Sequence, residues 1–389
     1  MVLTIKTHGV FVAGPDIDVL TPLLDPRFAV SRCVMLATGA DEAALLRMAE
    51  VAADARVQTQ VIDLADGWNR QQVVSALEAA LALAEGEMAL NLSGANVAQA
   101  AYALAWARDA EVPVFVVQPD TDQLLWLHAP AHFQSFNVAD RLTLEGYFNT
   151  FGIEVISTGG RLHSRDAQMD GFLRRWLSMV LRLPENVSAL RRMLQGKACG
   201  DLLPGSLDNE IKQLLGSLVD AGMVEQMPDG CLRLIRADAV GFLSGGWLEH
   251  YVLMELQEVA LQLPLQDAAL GLRLQAENGA RCEFDIAILF NNALFIVECK
   301  TGMSITTPPL QSIYKLDSLT SQAGLDAEAL LASLAQVSGN DRARADWHGI
   351  ALAAASELVS LKPKLIRWLQ SYAGLPRVDP SAPGRRCSS

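Results

Sequence analysis

The stretch that decides the fold of the C-terminal part is Arg281-Cys-Glu-Phe-Asp-Ile-Ala-Ile-Leu-Phe-Asn-Asn-Ala-Leu-Phe-Ile-Val-Glu-Cys-Lys300. Two apolar runs, Ile286 to Phe290 and Ala293 to Val297, are rich in β-branched and aromatic residues, which is typical of strands. Asn291-Asn292 lies between them, and asparagine tolerates the positive φ that a two-residue hairpin turn requires. The sequence therefore predicts a β-hairpin.

This turn fixes which charged residues face each other. Pairing outward from it places Asp285 opposite Glu298 and Glu283 opposite Lys300. Residues opposite each other, and residues two apart on one strand, share a face. We therefore expect Asp285, Glu298 and Lys300 to converge on one patch. Like charges directly opposite each other destabilise a sheet, and a bound cation would remove that repulsion.

Two carboxylates on one patch suit a hard divalent cation. Mg²⁺ and Mn²⁺ prefer oxygen ligands and keep several waters. A neighbouring ammonium group, here that of Lys300, can position an attacking water or stabilise charge on a phosphate. These residues are suited to metal-assisted phosphodiester hydrolysis. On local spacing alone, a surface hairpin with an ordinary acid–lysine pair is about equally good an interpretation.

Two flanking segments supply further polar side chains. Glu249 lies in Gly245-Gly-Trp-Leu-Glu-His-Tyr-Val-Leu-Met-Glu-Leu, whose apolar spacing predicts an amphipathic helix opened by a glycine pair. Adjacent helical residues diverge by about 100°, so we expect Glu249, and not His250, to face the hairpin as a third carboxylate. Downstream, Gln311 and Lys315 lie one predicted helical turn apart and can line the same cleft.

The combination of Glu249, Asp285 and Glu298-Cys299-Lys300 resembles the PD-(D/E)xK nuclease signature, which has a helix acid, a hairpin acid and Glu-x-Lys on the next strand. The stretches Gly-Gly-Trp-Leu-Glu, Glu-Phe-Asp-Ile and Glu-Cys-Lys-Thr-Gly are similar to one group in particular. These are the CRISPR-associated nucleases that carry an N-terminal CARF sensor domain and a C-terminal PD-(D/E)xK domain. This resemblance covers approximately Gly245 to Leu369.

The resemblance implies a set of site residues and a cofactor. The implied catalytic residues are Glu249, Asp285, Glu298 and Lys300. The accessory candidates are Glu283, Gln311 and Lys315. Mn²⁺ or Mg²⁺ would be held by Asp285 and Glu298, with Glu249 assisting directly or through water. The implied reaction is hydrolysis of phosphodiester bonds in DNA, RNA or both.

Composition bounds the class of protein. A chain of 389 residues is long enough for two or three domains. Its hydrophobic fraction of 51% and charged fraction of 19% are those of a globular protein. No uncharged apolar run of membrane-spanning length occurs, so we expect no membrane span. The six cysteines form no CxxC pair, which argues against a zinc ribbon and fits a reduced cytoplasm.

The net charge of −13 disfavours unassisted binding to nucleic acid, because an acidic chain repels phosphate at long range. A divalent ion offsets part of this charge locally. Otherwise dimerisation or a ligand-dependent rearrangement must bring the chain to its substrate.

The first 150 residues alternate short apolar runs with helical patterns, which predicts a parallel, doubly wound sheet. The predicted strands are Val10 to Ala13, Ala29 to Ala37, Thr59 to Leu64, Met88 to Leu92 and Val112 to Val117. The predicted helices are Asp41 to Asp54, Asn69 to Ala84 and Asn96 to Asp109. Ligands of such sheets bind outside the carboxyl ends of the strands. We therefore predict ligand-binding residues in the loops there, namely Gly14, Pro15, Asp16, Thr38, Asn91, Ser93, Gly94 and Asn96.

The segment Asn91-Leu-Ser-Gly is similar to the loop after the fourth strand of CARF domains, which reads Asn-Leu-Thr-Gly-Gly-Thr-Lys and helps to hold cyclic oligoadenylate across a two-fold dimer axis. The lysine and one glycine of that loop are absent, because this chain continues as Gly94-Ala-Asn-Val97. Without the resemblance, a strand-to-helix turn capped by Ser93 or Asn96 is the better interpretation.

We expect four segments and one principal function. Residues 1–150 form a Rossmann-like CARF sensor, 151–240 a winged-helix-like connector with a hairpin turn at Asp229-Gly230, 241–376 a restriction-endonuclease-like domain, and 377–389 a disordered tail. The resemblance implies a homodimeric nuclease of type III CRISPR defence, activated by cyclic oligoadenylate, with the tetra-adenylate favoured. The rival hypothesis is a non-catalytic CARF-fold regulator or scaffold that has lost its ligand response.

Overall fold

The computed structural model describes residues 3–119, 121–162, 167–183, 189–190, 192–203, 216–302 and 327–372. Within these ranges the strands form three sheets, of seven, three and seven strands. None of the helices in these ranges combines the length and the apolar character that crossing a bilayer requires. The predicted tail lies outside the described residues.

The first sheet has the strand order β3-β2-β1-β4-β5-β6-β7, in which β1 to β5 run parallel and β6 and β7 antiparallel. Its strands are β1 (Ile5–Val12), β2 (Arg32–Ala37), β3 (Gln58–Asp63), β4 (Glu87–Asn91), β5 (Val114–Gln118), β6 (Gln123–His128) and β7 (Phe136–Asn137). The five predicted parallel strands are confirmed. The order reverses between β1 and β4, so the loops after these strands border a crevice at the carboxyl edge.

Five helices accompany this sheet: α1 (Ile17–Leu24), α2 (Glu42–Asp54), α3 (Arg70–Ala82), α4 (Val97–Asp109) and α5 (Leu144–Thr150). The three predicted helices are confirmed, and each begins after a side-chain cap. The caps are Asp41, Asn69 and Asn96, whose side chains accept hydrogen bonds from first-turn N–H groups. Helix α1 was not predicted, although Asp16 caps it in the same way.

The second seven-stranded sheet contains the predicted hairpin. Its order is β17-β16-β15-β14-β13-β8, and β9 also pairs with β13. The strands are β8 (Ile153–Ser157), β9 (Gly160–Arg161), β13 (Asp267–Ala276), β14 (Arg281–Phe290), β15 (Ala293–Lys300), β16 (Ala327–Ser333) and β17 (Ile350–Ala354). Asn291 and Asn292 have φ of 55° and 54°, as the predicted turn requires. Strands β8 and β9 come from the predicted connector and belong to this sheet.

Helices pack on both faces of the second sheet. These are α6 (Ala167–Arg182), α7 (Trp247–Ala260), which follows a π-helical segment Phe242–Gly246, α8 (Gly339–Trp347), and α9 (Leu361–Tyr372), which follows a 3₁₀ segment Ala355–Ser360. Helix α7 packs on α6, on α9 and on strands β13 to β15. Only α8 contributes instead to the core on the opposite face, through Ala345.

The third sheet lies in the connector and has three short strands, β10 (Leu202–Leu203), β11 (Val224–Gln226) and β12 (Leu232–Leu234), all antiparallel. The predicted hairpin between β11 and β12 is confirmed. Gly230 adopts a φ of 83° in its turn, and the Cys231 N–H donates to Asp229 Oδ1 at 3.0 Å. The described residues of this segment thus contain a small antiparallel sheet with the predicted hairpin.

One hydrophobic core joins the first sheet to the second. It contains Val10 and Val12 of β1, the buried face of α5, and Phe284, Ala287 and Leu289 of β14. The rings of Phe148 and Phe284 lie 6.0 Å apart across this junction. The N-terminal and C-terminal parts are thus packed together and not merely tethered.

Gly94 is required by a close approach of chain segments. A Cβ at this position would lie 2.3 Å from the Phe11 carbonyl oxygen and 3.0 Å from Val19 Cγ2. A Cβ at Gly14 would meet nothing within 4 Å. The loop after β4 therefore lies directly on β1 and α1.

We predict that Gly94→Ala lowers the free energy of unfolding by about 1–3 kcal/mol, because the methyl group overpacks against backbone. Gly14→Ala, the matched control in the neighbouring loop, should change it by less than about 0.5 kcal/mol. Urea unfolding measures both. Equal effects of the two substitutions would contradict the close approach.

Candidate active site

Strands β14 and β15 separate at the acid pair. Their register runs from Phe290↔Ala293 to Ile286↔Val297, which is the predicted pairing. Beyond these pairs, the Cys299 N–H of β15 donates to a side chain of β14: it bonds Asp285 Oδ2 at 2.6 Å. The Asp285 side chain therefore accepts a hydrogen bond from a backbone N–H of β15, at the point where the β14–β15 backbone ladder ends. We call this point the fork.

Beyond the fork the two strands follow different neighbours. β14 continues beside β13, where Glu283 pairs with Arg273, and β15 continues beside β16, where Lys300 pairs with Ser333. The expectation that Glu283 lies opposite Lys300 is therefore wrong, because the hairpin opens before that pair. Glu283 is exposed and forms an ion pair with Arg273 at 3.1 Å.

Glu298 and Lys300 form an ion pair at the fork. The Glu298 side chain is completely buried, whereas that of Lys300 is 42% exposed. Burial lowers the pKa of Lys300, but the hydrogen bond and charge of Glu298 and the charge of Asp285 outweigh it and raise the pKa above the usual value. The ammonium group is therefore held in its charged form.

Cys299 lies on the other face of β15. It is buried in the same core as Phe295 and Val297, as its position between two polar residues predicts. Burial, followed by the charges of Asp285, Glu249 and Glu298, raises the pKa of its thiol well above the usual value. The thiol therefore stays protonated and serves in packing, as expected.

The start of helix α7 rests against the end of β15. A Cβ on Gly245 would lie 2.7 Å from Thr301 Oγ1, so only glycine permits this contact without a shift. The contact places Glu249, in the first turn of α7, beside the fork. Packing against Thr301 thus explains the first glycine of the pair, Gly245.

Glu249 responds to the charges at the fork. Its pKa is raised to about 7, first by burial, then by the charges of Asp285 and Glu283, and against the opposing charge of Lys300. The pKa of His250 is lowered by burial and responds to Asp238 and Arg236 instead. Glu249, and not His250, is therefore the helix residue in electrostatic contact with the fork.

Of the three accessory candidates, the structure describes only Glu283. Glu283 contributes charge at the fork but is engaged by Arg273. Gln311 and Lys315 lie outside the described residues, which stop at residue 302 and resume at 327.

The predicted ligand loops meet at the carboxyl edge of the first sheet, where Asn91 organises the loop after β4. Its Oδ1 accepts from the Ser93 N–H at 2.9 Å and from Ser93 Oγ at 2.7 Å. Its Nδ2 donates to the Asp18 carbonyl at 3.0 Å, which ties the loop to α1. Ser93 Oγ also accepts from the Val117 N–H at 2.9 Å. Asn91 and Ser93 are therefore used to shape this edge.

Asn96, and not Ser93, caps helix α4. Its side chain accepts from the Gln99 N–H, and Gln99 Oε1 accepts from the Asn96 N–H at 2.8 Å in a capping box. Gln99 Nε2 donates to Thr38 Oγ1 at 2.7 Å and links the loop after β2. Gln99 was not predicted, although glutamine three residues after an Asn cap signals a capping box.

Residues 236–372 match the Card1-like endonuclease domain model. This part of the chain is therefore similar to Card1-like endonuclease domains. The match covers Glu249, the fork and helix α9, and it confirms the nuclease domain that the sequence resemblance implied. No curated protein matches the chain.

Solved structures match nearly the whole chain. Protein VC1899 from Vibrio cholerae is 28% identical, with a TM-score of 0.83 over 95% of this chain and 99% of that one. Can2 from Sulfobacillus thermosulfidooxidans, solved with cyclic tetra-adenylate, is 19% identical, with a TM-score of 0.74 over 94% and 97%. A type III CRISPR defence DNA nuclease activated by cyclic oligoadenylate is 16% identical, with a TM-score of 0.52 over 86% and 47%. These likenesses confirm the predicted α/β fold class.

The donor set of the endonuclease domain fits a hard cation. The mutual repulsion that helps to raise the pKa of Glu249 comes from carboxylates, which are the ligands that Mg²⁺ and Mn²⁺ prefer. Within the described ranges, no three His, Cys, Asp or Glu residues are already drawn together in a metal-holding cluster. Lys300 instead provides the positive charge beside Glu298.

We predict a pH-dependent effect of Glu249→Gln in the metal-free protein. An acid whose pKa is raised from 4.5 to about 7 adds stability below its ordinary pKa and loses it as the pH rises through about 7. The substitution should therefore stabilise the protein, relative to wild type, more at about pH 8 than at about pH 5. Urea unfolding with chelator present measures this.

Glu42→Gln, at an exposed acid in the first turn of α2, is the matched control and should show no such trend. A Glu249→Gln effect that is the same at both pH values would contradict the placement of Glu249 at the fork.

Proposed function

We propose that this chain is a divalent-metal-dependent endonuclease that cyclic oligoadenylate activates in type III CRISPR defence. The carrying observation is that Asp285, Glu298, Lys300 and Glu249 meet at one fork inside a Card1-like endonuclease domain. In this proposal residues 1–150 are the sensor, 151–240 the connector and 241–376 the nuclease.

Three acids would hold the metal ion. Asp285 and Glu298 come from adjacent strands, and Glu249 joins them from α7, directly or through water. A bound Mg²⁺ or Mn²⁺ would supply a Lewis acid for the scissile phosphate and its attacking water. The half-buried Glu249 carboxyl, with its pKa raised to about 7, holds a proton in about half of the metal-free molecules at neutral pH. Loading of the site would therefore release that proton.

Lys300 acts as a cation in this proposal. Its raised pKa keeps the ammonium group protonated, so it is a poor general base. Its side chain is partly exposed beside a buried carboxylate, a position from which it can orient a water or face a phosphate oxygen. We assign it stabilisation of the negative charge that develops on the phosphate.

The activator would bind at the carboxyl edge of the first sheet. Can2, which covers 94% of this chain, was solved with cyclic tetra-adenylate, and this supports the tetra-adenylate as the ligand. Gly14, Pro15, Asp16, Thr38, Asn91, Ser93, Gly94 and Asn96 line the loops at that edge. Because the family's loop lysine is absent after Gly94, backbone N–H groups would carry more of the phosphate contact here.

We further propose that the chain acts as a homodimer. A two-fold symmetric ligand is read by two copies of one sensor. Trp68 and Val97, which are 63% and 75% exposed, belong to the loop after β3 and to the start of α4 at the same edge. Gly67 packs against Gln99 and Thr38, which places the exposed tryptophan beside the ligand loops. These apolar side chains are suited to contact between copies.

The second candidate function is a non-catalytic regulator or scaffold. The substituted loop Gly94 to Val97 favours it, as does the net charge of −13. A scaffold need not bind a metal ion or cleave nucleic acid, so a cleavage assay separates the two functions.

The test is cleavage of single-stranded DNA, single-stranded RNA and supercoiled plasmid with Mn²⁺, without activator and with cyclic tri-, tetra- and hexa-adenylate. We expect cleavage that one activator stimulates. Glu298→Ala and Lys300→Ala should each lower the rate by at least about 100-fold, because the first removes a proposed metal ligand and the second the cation that faces the phosphate. Thermal unfolding verifies that each variant is folded.

Cys299→Ala is the matched control, because its side chain lies between the two on the opposite face of β15. It should keep most of the cleavage activity. Full activity of both charge variants would exclude the fork as the active site, and absence of cleavage by the folded wild type under every condition would favour the scaffold.

A further inference from the structure

A cavity of about 170 Å³ lies where the sensor meets the endonuclease domain. Its walls come from four segments: residues 15–18 after β1, Pro119 and Asp122 between β5 and β6, residues 291–293 at the hairpin turn, and Tyr147 and Phe151 at α5. The first segment includes Pro15 and Asp16, which are proposed ligand residues. The third is the turn of the hairpin whose other end is the fork.

A buried hydrogen bond crosses this junction. Asn292 Nδ2 donates to Asp122 Oδ2 at 2.7 Å. Asp122 is 3% exposed and Asn292 6% exposed. Burial raises the pKa of Asp122 to about 8, opposed by this bond and reinforced by the charge of Asp140. Because both side chains are buried, water would not readily replace either partner of this hydrogen bond if it were removed.

Asn292 is fixed on its other side by Gln266. The Asn292 N–H donates to Gln266 Oε1 at 3.0 Å, and Gln266 Nε2 donates to Asn292 Oδ1 at 2.7 Å. Gln266 Nε2 also donates to the Leu142 carbonyl at 2.7 Å, just before α5. The turn is therefore clamped between two parts of the sensor.

The clamp continues to the ligand loops. Asn91 Nδ2 donates to the carbonyl of Asp18, and Asp18 lines the same cavity as Asn292. A ligand that shifts the loop after β4 would act on the wall of this cavity. On the other side, β15 leads from Asn292 to Glu298 over six residues, about 20 Å of strand. Every residue of β15 before Lys300 is buried, so the strand is packed along this whole path.

We propose that Asn292 is a positioning residue, through whose bond to Asp122 the sensor sets the geometry of the fork. This inference rests on the proposed function and names its route of regulation. The two-state element is the hairpin β14–β15, which the sensor holds at its turn and which carries Asp285 and Glu298 where its strands separate. In this proposal, activator binding shifts the contact between Asp122 and the turn, and this changes the separation of Asp285 and Glu298.

The test compares Asn292→Gly with Asn291→Gly in the full-length protein. Glycine keeps the positive φ at either turn position, so each variant loses only a side chain. Asn291 makes a partly exposed contact of 3.2 Å with Asn137 Nδ2 and is the matched control. We measure Mn²⁺-dependent cleavage with and without cyclic tetra-adenylate, the affinity for that activator, and thermal unfolding.

Asn292→Gly should reduce the activated-to-basal rate ratio about tenfold, with basal rate and activator affinity close to those of Asn291→Gly. The exchange variant Asp122→Asn/Asn292→Asp reverses donor and acceptor and should restore the wild-type ratio. A merely structural role would instead lower the basal rate and thermal stability together, without rescue by the exchange.

The outcomes separate this inference from the proposed function. A wild-type rate that responds to the activator, with an unchanged ratio in Asn292→Gly, overturns the inference and leaves the function standing. A wild-type rate that responds to no cyclic oligoadenylate overturns both.

Discussion

The candidate site depends on the charge interaction between carboxylates that the fold places around the fork. Asp285 and Glu298 come from a hairpin whose register leaves them no alternative face, and Glu249 is pressed toward them by the close contact of Gly245 with Thr301. In the metal-free protein, burial and then the charges of Asp285 and Glu283 raise the pKa of Glu249 to about 7, and Lys300 pairs with Glu298. A divalent ion held by these carboxylates would offset their negative charge, and it would act as a Lewis acid in phosphodiester hydrolysis.

The same hairpin connects the two parts of the chain for which we propose sensor and nuclease roles. Its turn lies against the N-terminal part and its other end carries the acids, so one element reaches both candidate sites. The shared core between β1, α5 and β14 keeps the two parts in register. Packed junctions of this kind favour discrete alternative arrangements over gradual deformation, which suits a switch.

Much of the fold and of the fork followed from the sequence, because strong local rules govern both. Asn291-Asn292 admits one turn type, and a two-residue turn fixes the register of every later pair. The predicted position of Glu283 was wrong because the Asp285 side chain accepts a hydrogen bond from the Cys299 N–H and the hairpin opens there. The spacing of apolar residues in the sequence does not reveal such a bond. The bond between Asp122 and Asn292 joins residues 170 positions apart, so it depends on tertiary packing alone.

The central claim is that the fork is a divalent-metal site, and the most direct measurement is calorimetric titration of Mn²⁺ into the metal-free protein. The account predicts saturable binding to the wild type and to Cys299→Ala. It predicts loss of that binding in folded Asp285→Asn, because one of the two strand carboxylates becomes neutral. Equal Mn²⁺ binding by wild type and Asp285→Asn would contradict the assignment of the fork.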